Sequence, residues 1–162
     1  MLTIRRLEPV DWPEIEAIWA EGIDTRNATF ETETPAWESF DASRHPRHRY
    51  VALHDDHIVG WATLSPVSRR PCYAGVAENS VYVASAVRGQ GVGRALMEEL
   101  VSHADADGIW TIQTSVFPEN VASLRLHEGV GFRVVGRRER IAQLDGIWRD
   151  TLFLERRSPV VT

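Results

Sequence analysis

Ser80-Val81-Tyr82-Val83, followed by Arg88-Gly89-Gln90-Gly91-Val92-Gly93-Arg94 and a long amphipathic stretch, is the run that decides the fold. The alternation of the first part reads as a strand over residues 78–84. From Gly91 a helix is expected to about Asp107, with Val92, Ala95, Leu96 and Leu100 at core spacing and Gly108 as its stop. Three glycines in a strand-to-helix turn allow close backbone approach and let several amide N–H groups point at one spot. The helix N-terminus adds about half a positive charge. The result is an anion cradle, best matched to a pyrophosphate. It is not a P-loop, because the Lys-Ser/Thr pair is missing. It is not the dinucleotide fingerprint either, since Gly89, Gly91 and Gly93 do not have the G-x-G-x-x-G spacing. The plain alternative is a glycine-rich helix start with no ligand.

Working outward, residues 2–7 alternate as a first strand. Asp11-Trp12-Pro13 reads as a helix start with Asp11 as N-cap, and Ile15, Ile18 and Trp19 form its apolar stripe. Residues 22–34 are polar and irregular, and Pro35 opens a short helix containing Trp37 and Phe40. Strands are expected over 50–53 and 58–64, joined by the turn residues His54-Asp55-Asp56-His57. Residues 65–73 form a loop. A strand over 109–116, a helix over 118–129, and strands over 132–138 and 148–154 complete the chain. The order is β-αα-βββ-α-β-α-ββ, a mixed α/β sheet with helices on its faces. No repeat, low-complexity tract or linker divides it, so residues 1–162 are expected to form one domain.

Composition narrows the function. The 162 residues carry a net charge of −5, with 43% hydrophobic and 25% charged residues, which is ordinary for a soluble globular protein. An acidic balance argues against a sequence-blind grip on nucleic acid, which depends on a basic face. All 18 basic residues are arginine, which excludes Schiff-base and P-loop lysine chemistry. The lone Cys72 cannot form an intramolecular disulfide or supply a multi-cysteine zinc site. No apolar run approaches the ~18 residues of a membrane span, and residues 1–14 lack a signal-peptide core, so a cytoplasmic protein is expected. His45/His48 and His54/His57 have ligand-like spacing, but the second pair flanks two turn aspartates and no metal is expected.

The R-x-x-G-x-G run from Arg88 to Gly93 resembles the coenzyme A pyrophosphate loop of the GNAT acetyltransferases, and its context agrees. That family has a strand before the loop and a helix after it, then a strand and a helix that opens with Asn and ends near Gly-Phe. Here that last segment runs from Asn120 to Gly131-Phe132, so the resemblance covers essentially the whole chain. Glu78-Asn79-Ser80-Val81-Tyr82-Val83, Leu126-His127-Glu128 and Gly146-Ile147-Trp148-Arg149-Asp150 look like the phosphinothricin and methionine sulfoximine acetyltransferase branch. Ala28-Thr29-Phe30-Glu31 is similar, more loosely, to that branch's substrate loop.

The resemblance implies the GNAT fold, acetyl-coenzyme A as acetyl donor, a small amino-acid-like amine as acceptor, and a homodimer. Direct acetyl transfer needs a neutral amine, a base for its proton and a donor for the thioester oxyanion. Glu78, just upstream of the cofactor turn, is the carboxylate best placed as base, directly or through a water. A reference glutamate titrates near ~4.3, so base work favours a raised value. Strand alternation puts Glu78, Ser80 and Tyr82 on one face and Asn79, Val81 and Val83 on the other. The backbone of Val81, Tyr82 and Val83 would bind the acetyl carbonyl and pantetheine, and the turn from Arg88 through Gly89, Gln90, Gly91, Val92 and Gly93 to Arg94 the pyrophosphate. Asn120, Ser123 and His127 make one polar helix stripe facing the pantetheine and the thiolate. His127 is a general acid, a cofactor contact or a structural histidine. Arg70, Asn79 and Ser80 are candidate contacts for the acceptor, with Phe30 and Tyr73 as pocket walls; Arg69 and Arg70 could pair with a carboxylate or phosphinate. Trp148 is expected in the core or at a dimer interface. Two other readings remain: a GNAT enzyme for another amine (a polyamine, another amino acid or a protein N-terminus), and a catalytically silent acyl-coenzyme A-binding module.

Overall fold

The computed structural model describes residues 1–162 as a seven-stranded mixed sheet with two helices against each face. In chain order the elements are β1 (Leu2–Arg6), α1 (Trp12–Asp24), α2 (Trp37–Ser43), β2 (Arg49–His54), β3 (His57–Pro66), β4 (Val76–Val83), α3 (Val92–Ala106), β5 (Thr111–Val116), α4 (Val121–Gly129), β6 (Arg133–Leu144) and β7 (Ile147–Arg157). The strands lie in the order β1-β2-β3-β4-β5-β7-β6, antiparallel throughout except for the central β4–β5 pair. This is the mixed α/β architecture expected from the alternation of strand and helix signals.

Strand alternation divides the core in two. Tyr50, Ala52, Ala62, Leu64, Ala77 and Ile112 face α3, where Leu96, Met97, Leu100 and Ala104 fill the groove. Val51 and Trp61 face the other way, onto Ile15, Ile18 and Trp19 of α1 and Phe40 of α2. That second layer is strongly aromatic: Trp61 meets Trp19 edge-on at 5.4 Å and stacks on Tyr82 at 4.9 Å. Gly22 makes this approach possible, because a Cβ there would lie 2.6 Å from the Tyr82 ring.

Several boundaries differ from the sequence reading, each for a local reason. Asp11 does not cap α1 with its side chain. Its carboxylate instead accepts the Glu8 N–H at 2.8 Å and pairs with both terminal nitrogens of Arg5 at 2.8 Å, and the Arg5 guanidinium holds it below the usual aspartate range. The helix expected from Pro118 starts at Val121, where Asn120 Oδ1 accepts the Ser123 N–H at 3.2 Å. The strand expected to end at Arg138 continues to Leu144, kinked by irregularities at Val134/Gly136 and Arg138/Ala142. Asp145 (φ 51°) and Gly146 (φ 77°) then make the turn into β7. The turn expected between β2 and β3 is made by a left-handed pair, Asp55 and Asp56, with φ of 48° and 66°. Trp148 is not a core residue: it is 49% exposed, beneath the guanidinium of Arg140. No helix is long and apolar enough to cross a membrane.

Candidate active site

β4 and β5 pair at only three positions, Val76 with Thr111, Ala77 with Ile112 and Glu78 with Gln113. Beyond them β4 stays with β3 and β5 with β7, so the two central strands separate. A cavity of about 800 Å³ opens in the gap, lined on one side by Ser80, Val81, Tyr82 and Val83 and on the other by Thr114, Ser115 and Val116. The facing backbone edges have no strand partner there, so a thin, extended chain bearing amides can hydrogen-bond to them as an added strand would.

One end of this cavity reaches the glycine turn. Gly89 and Gly91 have φ of 77° and 85°, and a Cβ on either would meet no atom within 4 Å. Their glycine identity therefore serves backbone conformation and leaves open room in front of the amides. Gly93 differs: its Cβ would lie 3.2 Å from Leu126 Cδ2 and 3.5 Å from Val83 Cγ2, so it lets α3 pack against α4. The first intrahelical bond of α3 runs from the Ala95 N–H to the Gly91 carbonyl, which leaves the preceding amides free for an anion. Arg88 and Arg94 also line the cavity; Arg88 Nε donates to the Val83 carbonyl at 3.3 Å and Arg94 pairs with Glu98 at 2.7 Å. Gln90 lies on the turn but not on the cavity wall. Open room at Gly89 and Gly91, two arginines and a helix N-terminus fit a coenzyme A pyrophosphate.

At the middle of the cavity the two faces of β4 separate two sets of groups. Asn79 points toward α3 and α4, where it is buried and its Nδ2 lies 3.0 Å from His127 Nε2. His127 Nδ1 lies 2.7 Å from the Ser123 carbonyl, an acceptor only, so Nδ1 carries the proton and Nε2 accepts from Asn79. The ring is 2% exposed and burial pushes its pKa below the ordinary histidine value. Of the three roles left open for His127, the acid role lacks a free proton: the neutral ring's single N–H is held by a carbonyl. Its hydrogen bonds instead tie α4 to β4. Asn120 and Ser123 line the same wall, and Asn120 Nδ2 donates to the Asn27 carbonyl at 3.0 Å, fastening the 25–36 segment over the cavity.

Glu78, Ser80 and Tyr82 face the other way. All three line both the main cavity and a second one of about 540 Å³ between β4 and the α1–α2 layer. Glu78 is exposed, with Gln113 Nε2 at 3.5 Å from Oε2. Burial raises the Tyr82 phenol above its ordinary value, so it stays protonated. Phe30 lines the main cavity and packs edge-on against Phe117 at 4.9 Å, beneath Arg149.

Two of the expected acceptor contacts, Phe30 and Asn79, line only the main cavity, and two more lie elsewhere. Arg70 and Tyr73 line neither cavity; they lie on the segment between β3 and β4, with the Arg70 guanidinium 5.5 Å over the Tyr73 ring. Arg69 is likewise absent from both walls. The cation that does line the second cavity is Arg44, at the C-terminal end of α2, accompanied by Glu31 and Glu33. Sequence reading passed over Arg44 because nothing near it in the chain marks it. His45 and His48 do come together, with Asp107, their ligand atoms within 4.8 Å of one another. Asp107 is already engaged, by His48 Nε2 and by Arg47, each at 2.9 Å, so the group serves as a clasp between the segment leading into β2 and the end of α3.

Comparison with known proteins shows the family and the fold. The model of the acetyltransferase (GNAT) family matches residues 6–132. A Bacillus subtilis protein with the provisional name phosphinothricin acetyltransferase YwnH is 34% identical over 160 residues, covering 96% of this chain and 98% of its own. An L-methionine sulfoximine/L-methionine sulfone acetyltransferase of Pseudomonas paraeruginosa is 29% identical, over 94% of this chain and 92% of its own. A crystal structure of a phosphinothricin acetyltransferase from Sinorhizobium meliloti in complex with acetyl-coenzyme A superposes with a TM-score of 0.88. It shares 27% identity and covers 97% of this chain and 88% of that one.

Proposed function

The chain belongs to the acetyltransferase (GNAT) family, an N-acetyltransferase with acetyl-coenzyme A as its donor, and we propose that its acceptor is the α-amine of a small amino acid of the phosphinothricin and methionine sulfoximine or sulfone class. The observation that carries this reading is the shared wall of the two cavities. Glu78, Ser80 and Tyr82 line both, so an acceptor in the smaller cavity and a donor in the larger one meet at Glu78. The names of the relatives point to the same acceptor class.

Each residue then has a task. The amides at Gly89 to Gly93 and the side chains of Arg88 and Arg94 bind the pyrophosphate, and the free edge of Val81 to Val83 holds the pantetheine and polarises the acetyl carbonyl. Bound acetyl-coenzyme A supplies the acetyl group as a thioester. Glu78 accepts the proton that the acceptor nitrogen must lose, directly or through one water, so the nitrogen lone pair can form the new C–N bond as the C–S bond breaks. A thiol with a reference pKa near ~8.5 can leave as thiolate, so the transfer does not require a proton from His127. His127, Asn79 and Ser123 instead fix the α4 wall of the cavity.

Competition assays at limiting acetyl-coenzyme A test the acceptor class. Methionine sulfone and phosphinothricin should be acetylated far better than methionine, which has the same amino-acid end without the tetrahedral oxygens. A site built for such polar groups discriminates by up to ~10⁴–10⁵ in favourable cases. Equal specificity constants for methionine and its sulfone, or a preference for spermidine, would remove the acceptor class and leave the family assignment intact.

A further inference from the structure

We propose that Arg44 is the acceptor-binding cation of this enzyme, pairing with the α-carboxylate of the amino acid whose amine faces Glu78. The inference rests on the amino-acid reading of the acceptor. Arg44 lines the smaller cavity together with Glu78, Ser80 and Tyr82, so it and the candidate base face one shared space. Its guanidinium is held in place from behind. The central carbon sits 4.9 Å from the Phe40 ring and 5.6 Å from the Trp19 ring, and Nη1 is 3.1 Å from Ser43 Oγ and 3.3 Å from Ser65 Oγ.

What Arg44 lacks is a counter-ion. The other inward-lying arginines each have one: Arg49 with Asp41, Arg149 with Glu119 and Arg156 with Asp105, at side-chain exposures of 12%, 19% and 11%. Arg44 makes no ion pair, its Nε is buried without an acceptor, and Nη2 makes no hydrogen bond within the protein. A half-buried cation without a partner is costly, and the pull of burial on its pKa is downward. The position makes physical sense when an anion completes it. A carboxylate accepts from the planar guanidinium in two parallel hydrogen bonds and removes that cost. Glu31, Glu33 and Glu78 surround the same space, so a zwitterion can place its ammonium among carboxylates and its carboxylate on Arg44. A polyamine has no group for Arg44. The carboxylate role expected of Arg70 thus passes to a residue on a different element.

The test pairs methionine sulfone with 3-(methylsulfonyl)propan-1-amine, the same amine without its carboxylate. In the wild-type enzyme the sulfone should be preferred. Arg44→Gln should lower kcat/KM for the sulfone about 10- to 100-fold, mainly through KM, the scale of a lost charge-assisted hydrogen bond. The carboxylate-free amine should change by less than about threefold on the same basis. Arg44→Lys, which keeps the charge and loses the fork, should recover part of the loss. Equal losses on both acceptors would mean that Arg44 only supports Trp19 and Phe40, and the assignment would fall. An unchanged KM for the sulfone would do the same. A measurement on wild type alone guards against a misfolded variant: 4-(methylsulfonyl)butanoate, which has the carboxylate but no amine, should compete with the sulfone, and its primary amide should not. Inhibition by the amide as strongly as by the acid overturns the proposal. If wild type favours spermidine over the sulfone, the acceptor reading fails; if it favours the sulfone and Arg44→Gln retains that preference, Arg44 alone is wrong.

Discussion

Gly91→Ala separates two reasons for having glycine in the turn. With φ at 85°, an alanine there is forced into the left-handed region, which costs roughly 1–2 kcal/mol. Its Cβ would meet no protein atom within 4 Å, so the free protein feels backbone strain and no clash. At about 2–4 °C per kcal/mol for a chain of this size, the melting temperature should fall by roughly 2–8 °C. The bound state is different. If the pyrophosphate occupies the room in front of the Gly91 amide, the methyl group takes that space and displaces at least one charge-assisted hydrogen bond. At about 1.5–3 kcal/mol per bond, the acetyl-coenzyme A Kd should rise about 10- to 150-fold. Gly108→Ala is the matched control. It has φ of 83°, equally open surroundings and a place at the far end of α3, so it should lose comparable stability and keep its cofactor affinity. Scanning calorimetry of the free proteins and titration calorimetry with acetyl-coenzyme A give both numbers. A Gly91→Ala protein that melts lower yet binds acetyl-coenzyme A like wild type would refute the turn as the phosphate site.

Glu78→Gln should lower the acetylation rate at neutral pH by ~10²-fold or more, within the 10²–10⁴ range of general base catalysis, while acetyl-coenzyme A affinity stays nearly unchanged. Wild-type turnover of this variant at saturating amine would remove Glu78 from the mechanism. Burial lowers the pKa of His127 and, outweighing the pull of Asp107, that of His48. As pH falls below the unfolded-state value near ~6.5, the unfolded chain takes up protons that the folded one refuses, so this stability is complete above ~6.5 and is lost below it. Each histidine can contribute up to about 1.4 kcal/mol per pH unit in that window. The urea midpoint should therefore drop between pH 7.5 and 5.5; a flat midpoint would show that these rings are not held neutral.

The strand, glycine turn and helix from Glu78 to Asp107 were legible because their signals are local: alternation, then left-handed glycines, then apolar residues at helical spacing. The length of β6 was not. Most of it is exposed, so neither face carries the apolar alternation that marks a strand, and its only clear punctuation is Asp145-Gly146. Nor could the chain show which arginine faces the smaller cavity. Arg69-Arg70 are conspicuous as a pair, whereas Arg44 acquires its setting from Trp19, Phe40 and Ser65, which only the tertiary fold assembles. His127 presents a similar limit. Its polar stripe with Asn120 and Ser123 was visible, but its neutral state follows from burial and from contacts with a carbonyl and Asn79.

The early parting of β4 and β5 has a consequence for how the chain avoids its own kind. A strand edge with unsatisfied amides is ordinarily a hazard, because any neighbouring molecule can zip onto it. The outer margins of this sheet are blunted in the usual way, by Arg5 and Arg6 on β1 and by Arg133, Arg137, Arg138 and Arg140 on kinked β6. The adhesive edges are kept in the interior instead, inside a cleft between strands that remain anchored on their far sides. A whole β-strand from another chain has to bring bulky side chains with it, whereas the pantetheine arm is a bare thread of two amides. One gap in the sheet thus leaves room for such a thread and turns away the polymer.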